Sequence, residues 1–141
     1  METIRIMSSA VGREGRYLLR LSSALYIDEN RNLYVSLNGG SKNYYSNGKL
    51  MCVGSSSFDY YSDGKLMRIS NAPGGTITFD FYSDGKLMRA SSSERSLTFD
   101  YYSNNKLMRI SGAPYGEMVF DYYSNGELMR ITNTSSGTLT F

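Results

Sequence analysis

Residues 44 to 141 predict an all-β fold, an antiparallel meander of tandem β-hairpins curled into a barrel or a spiral shell. Three observations carry this. A short string recurs about every 20 residues. Each copy sets a turn-forming step between two strand-like runs. No segment shows the apolar period of a helix.

The copies read FDYYSDGKLMRIS (58–70), FDFYSDGKLMRAS (79–91), FDYYSNNKLMRIS (99–111) and FDYYSNGELMRIT (120–132). A degenerate copy, KNYYSNGKLMCVG, precedes them at 42–54, and a half copy, GTLTF, ends at Phe141. Asn47-Gly48, Asp63-Gly64, Asp84-Gly85 and Asn125-Gly126 supply the turns, and Asn104-Asn105 is the variant. A type I′ turn needs positive φ at both central positions, which Gly, Asn and Asp tolerate best. Such a two-residue turn would place Tyr82 opposite Leu87, Phe81 opposite Met88, Asp80 opposite Arg89 and Phe79 opposite Ala90.

Side chains alternate between the faces of a strand. One face then carries Ile77, Phe79, Phe81, Met88 and Ala90, and the other Thr78, Asp80, Tyr82, Leu87 and Arg89. The first face is apolar in every copy and must be covered. Closure into a barrel, winding into a shell, or stacking of two chains would each do so. Polar, Gly- and Ser-rich connectors (NAPGG, SSERS, SGAPYG) join the hairpins at the opposite edge as looser turns.

The preceding residues, 1–43, form the irregular part of a single domain spanning 1–141, with the hairpin repeats in 44–141. Thr3 to Ile6 reads as a short strand, and Arg16 to Leu21 fits a strand better than an isolated helix. LYIDENRNLYVSL (25–37) reads as a further hairpin with a longer turn.

Composition narrows the chemistry. The chain has no histidine and a single cysteine, Cys52, which removes Ser-His-Asp and Cys-His catalysis, zinc-finger spacings and intrachain disulfides. No cofactor or metal is expected. A net charge of +2 with alternating signs gives no pull toward nucleic acid or membrane. The N-terminus lacks the apolar core of a signal peptide, and no apolar run approaches the ~18 residues of a membrane helix. The expected location is cytoplasmic.

The conspicuous side chains recur. Asp59 and Arg68, Asp80 and Arg89, Asp100 and Arg109, and Asp121 and Arg130 are expected to face one another as structural cross-strand pairs. A catalytic centre is normally unique, so the repeated carboxylates argue against general acid–base chemistry. Tyr61, Tyr82, Tyr102 and Tyr123 form a ladder that could stack on sugar rings, or pack against the leucines beside the turns. Lys49, Lys65, Lys86 and Lys106 make a basic row, broken by Glu127, that reads as solvated charge discouraging edge aggregation.

The unit resembles the Rhs or YD repeat, which runs aromatic-x-aromatic-Asp-x-x-Gly-Arg-Leu. Phe79, Phe81, Gly85, Lys86 and Leu87 fall on its positions, while Tyr82 stands where the motif has Asp. That resemblance implies strands wound into a spiral or shell, often within large secreted polypeptides that enclose a toxin. A second resemblance, through Tyr44 to Leu50, is to MORN-type repeats, including bacterial antitoxin-like proteins. The expected function is a non-enzymatic β-repeat module acting through protein binding or self-assembly. The alternatives are an immunity or antitoxin-like protein that masks a toxin, and a β-barrel that binds a glycan or small ligand. The expected partner is a protein or a second copy in a homo-oligomer, with a glycan as the further candidate.

Overall fold

The computed structural model describes residues 2–141, and among these every regular element is a β-strand. β1 (Glu2–Met7), β2 (Leu18–Arg20), β3 (Leu25–Asp28) and β4 (Leu33–Leu37) form one antiparallel sheet in the order β1-β4-β3-β2. The strands expected at 3–6, within 16–21, and as a hairpin over 25–37 are all present.

The second sheet is a meander in strict chain order. It comprises β5 (Lys42–Tyr44), β6 (Leu50–Val53), β7 (Ser56–Tyr60), β8 (Leu66–Ala72), β9 (Gly75–Phe81) and β10 (Leu87–Ser91). It continues through β11 (Ser96–Tyr101), β12 (Leu107–Ala113), β13 (Gly116–Tyr122), β14 (Leu128–Thr134) and β15 (Gly137–Thr140). The sheet is open rather than a barrel, because β5 and β15 lie at opposite ends and do not pair. The apolar face is covered by the chain's own N-terminal sheet. Leu21, Leu25, Ile27, Val35 and Leu37 from the small sheet share one core with Phe58, Ile69, Ile77, Phe79, Phe99, Ile110 and Phe120 from the large one. Each such side chain contributes roughly 1.5–3 kcal/mol on burial. This internal cover removes the physical need for closure that motivated a barrel.

The hairpin turns hold three residues, not two. Tyr82 N donates to Lys86 O at 2.8 Å, and Gly85 N to Tyr82 O at 2.9 Å, leaving Ser83, Asp84 and Gly85 in the loop. Gly85 has φ +93°, whereas Asp84 does not cross to positive φ. This is a type I turn followed by a left-handed residue that forms a bulge. Asp84 Oδ1 accepts from Lys86 N at 3.0 Å, an Asx bond that ties Asp84 into the local turn. The variant copy places Asn105 at φ 71° where the others have glycine, a conformation asparagine tolerates.

The third loop residue shifts the pairing beside the turn. Phe79 faces Ala90 and Asp80 faces Arg89 as expected, but Phe81 then faces Leu87 across a bulge. Leu66, Leu87 and Leu107 therefore turn into the core, and Met67, Met88 and Met108 are left half-buried. The assignment of Leu87 to the mixed face is overturned by that one extra residue. The connectors at the other edge are also tighter than expected: Ala72 pairs directly with Gly75 and Ala113 with Gly116.

Candidate functional site

The tyrosine ladder is built into the sheet. Tyr61 Oη donates to Phe79 O at 2.7 Å, Tyr82 to Phe99 O at 3.0 Å, Tyr102 to Phe120 O at 3.1 Å and Tyr123 to Phe141 O at 3.2 Å. Each hydroxyl thus reaches the backbone of the next copy. Tyr101 and Tyr122 reach back, to Leu87 O and Leu107 O. The two sets meet edge-to-face, with Tyr82 and Tyr101 at 6.2 Å between ring centroids and Tyr102 and Tyr122 at 6.1 Å. Rings held edge to face, with their hydroxyls engaged, do not form a flat stacking platform.

The four Asp–Arg pairs form as expected. Arg68 Nε donates to Asp59 at 3.1 Å, Arg89 to Asp80 at 3.2 Å, Arg109 to Asp100 at 3.3 Å and Arg130 to Asp121 at 3.0 Å. All remain substantially exposed, so each contributes only about 0.2–1 kcal/mol. They lie in a line, one per hairpin, and do not converge. Among the described residues no three metal-ligating side chains come together.

The polar cluster that does converge was not singled out in the sequence. Asp28, at the end of β3, is 1% exposed. Its carboxylate accepts from Gly15 N at 2.8 Å, Asn30 N at 2.9 Å, Asn32 N at 2.9 Å and Tyr34 Oη at 2.7 Å. Asn32 Nδ2 donates to it as well, at 3.0 Å. Burial alone would raise its pKa, but the donors from Asn32, Tyr34 and Gly15 outweigh burial and hold it below the usual carboxylate value. Next to it Glu29 accepts from Arg16 N and Tyr17 N, and Asn32 Oδ1 accepts from Ser9 N. The DENRN turn is therefore a clamp that fixes the loop between β1 and β2 onto the body of the protein.

That loop forms one wall of a half-open groove of about 620 Å³. Met7 to Val11, with Ile27, Arg31 and Leu33, face Phe81, Leu87, Phe99, Tyr101 and Leu107 of the repeat sheet. Lys65, Lys86, Asn105 and Lys106 from three successive turns border it. The volume falls in the range of small-ligand sites, and the lining is apolar and aromatic with a few polar groups. Burial raises the Tyr101 hydroxyl well above its ordinary value. Tyr122 beside it is pushed up to about 12, chiefly by burial, with Arg31 pulling the other way. Neither phenol supplies a base near neutral pH.

The lysine row is partly paired and partly not. Lys65 meets Asp63 at 3.1 Å and Lys86 meets Asp84. Lys86 also lies over Tyr101, and Lys106 over Tyr122 at 5.7 Å from the ring centroid. The signal that would have located the groove is the neighbourhood of Asn104-Asn105, where the turn departs from its copies, together with the acidic and amide run of the DENRN turn. No family model matches the chain, and neither does any curated protein.

Proposed function

We propose that this protein is a non-enzymatic binding module whose working surface is the groove between the β1–β2 loop and the hairpin turns. The observation that carries the reading is how the polar side chains are engaged. The recurring tyrosines hold copy to copy, the Asp–Arg pairs hold the two strands of each hairpin, and Asp28 is saturated by donors, whereas the groove has an open mouth with cationic side chains around an apolar floor. Ala10, an exposed loop residue on the groove wall, gives the test. A partner or ligand retained by the immobilised native chain should be lost on Ala10→Trp, which fills the groove without touching the core. Equal retention by both would place binding elsewhere.

Self-assembly is the second reading, favoured by the open sheet. β5 and β15 each pair on one side only, and unpaired strand edges template association. Light scattering across a hundred-fold concentration range tests it, and a constant monomer mass would remove it. Either reading makes the chain a protein without turnover of its own.

A further inference from the structure

Resting on the groove reading above, we propose that the groove selects a small organic anion, with a carboxylate or phosphate head at Arg31 and Lys106 and a flat apolar body over Phe81 and Tyr101. The charge lining the groove is unbalanced. Arg31 Cζ lies 5.3 Å and Lys106 Nζ 5.7 Å from the centroid of the same Tyr122 ring. Two cations that line the groove therefore share one aromatic ring beside it. Among the described residues neither forms an ion pair, although Lys65 and Lys86, two and one hairpins earlier, each do.

The cause is a sequence difference between copies. Asp63 and Asp84 occupy the turn position whose side chain meets the following lysine, and the third copy has Asn104 there. Asn104 Oδ1 still accepts from Lys106 N at 3.1 Å, so the turn is kept while the ammonium loses its carboxylate. Arg31 sits at φ 65° in the DENRN turn, is held by its Nη1 bond to Glu29 O at 2.6 Å, and reaches the Tyr122 ring of the repeat sheet. No Asp or Glu lines this groove; Glu14, Glu29 and Glu127 line the adjoining cleft on the far side of Arg31 and Lys106, and neither cation forms an ion pair with them. Two cations outside any ion pair, in a groove without a lining carboxylate, leave charge that an anion complements, and the guanidinium fork matches the two oxygens of a carboxylate or phosphate.

The floor sets the rest of the ligand. Leu87 and Leu107 are buried, and Tyr101 has its hydroxyl committed to Leu87 O, so only its ring is available to the groove. A neutral polar ligand such as a sugar would find few acceptors for its hydroxyls there. An anion with an aromatic or alicyclic body fits both ends.

The test is an amide NMR titration of the full chain with three probes of one shape: 2-naphthoate, 2-naphthyl phosphate and the uncharged 2-naphthamide. The expected result is saturable shifts at Leu87, Asn105 and Leu107 with one or both anions and none with the amide. The preferred anion identifies the head group. Arg31→Gln and Lys106→Gln should each weaken binding about ten-fold, the loss of one charge-assisted hydrogen bond. Lys49→Gln, which removes a like cation over Tyr60 outside the groove, should leave it unchanged. Equal binding of the amide, or insensitivity to both groove variants, would overturn anion selection while leaving the groove as a binding surface. Absence of shifts with all three probes would overturn the inference as well, and the Ala10→Trp comparison then decides separately whether the groove binds anything.

Discussion

Asp80 and Asp28 are both strand aspartates, one in each sheet, and they live in opposite regimes. Asp80 faces a single arginine at the surface, and the same pair recurs in three other hairpins. Asp28 is buried beneath backbone and side-chain donors from the β1–β2 loop, the β3–β4 turn and β4, and no copy of it exists. The large sheet distributes its polar energy over many weak, interchangeable contacts. The small sheet concentrates it in one network, and that network shapes the groove. The lesson is that repetition marks scaffold in this molecule, and irregularity marks the place where something specific is built.

That contrast can be broken at its apolar base first. Phe79 is fully buried where the two sheets meet. Phe79→Ala should cost about 3–5 kcal/mol in urea unfolding. Phe81→Ala, at the half-buried groove floor, should cost clearly less. A reversal would mean that the small sheet does not cover the large one.

Asp28→Ala comes next. It strands several donors at once, and should cost about 2–4 kcal/mol, with amide exchange at Gly15 and Asn32 rising sharply. Its linkage to pH has a definite sign. The folded-state carboxyl lies below its usual value, so its contribution is complete above about pH 4 and is lost as pH falls through the lowered value. Glu94 behaves alike: the Ser23 hydroxyl and amide hold its carboxyl low and tether the two sheets. The urea midpoint should therefore fall steeply in acid, and Asp28→Asn should flatten that fall. An unchanged acid slope would show that the network is not what acid breaks.

A smaller effect sharpens the other side of the comparison. Tyr82→Phe removes one hydroxyl bond between copies and should cost about 1 kcal/mol. Tyr123→Phe, at the exposed end of the same ladder with a longer bond, should cost less. If the ladder were instead a ligand platform, both would be silent in stability and visible in binding.

Much of this was legible in the sequence. The strand positions, the meander and the Asp–Arg register follow from alternation and turn residues, because those rules are local. The three-residue turn was not, since Asp-Gly suits both a type I′ turn and a type I turn with a bulge. The bond that decides between them, Tyr82 N to Lys86 O, leaves no mark in composition. Leu87 and Met88 are both apolar and adjacent, so pattern alone does not say which one enters the core. The cover for the apolar face lay in residues 2–37, which share no repeat with the sheet they pack on. The groove brings Arg31 near Lys106, and so long-range a juxtaposition has no sequence signature beyond the departure at Asn104-Asn105 and the DENRN run.

The smallest predicted effect tests the comparison most directly. Asp80→Asn keeps the shape of the side chain and removes one charge from a pair whose members are 43% and 44% exposed. Water already screens such a pair, and freeing the arginine restores side-chain entropy, so the expected cost is about 0.5 kcal/mol or less. Making the same change in all four pairs should cost roughly four times as much, because the hairpins contact one another only through their neighbours and the sites are far enough apart to act independently. The substitution at Asp28 has the same chemistry and a different setting. Should Asp80→Asn cost as much as Asp28→Asn, the repeated pairs would be more than register marks, and the large sheet would hold a specific site of its own.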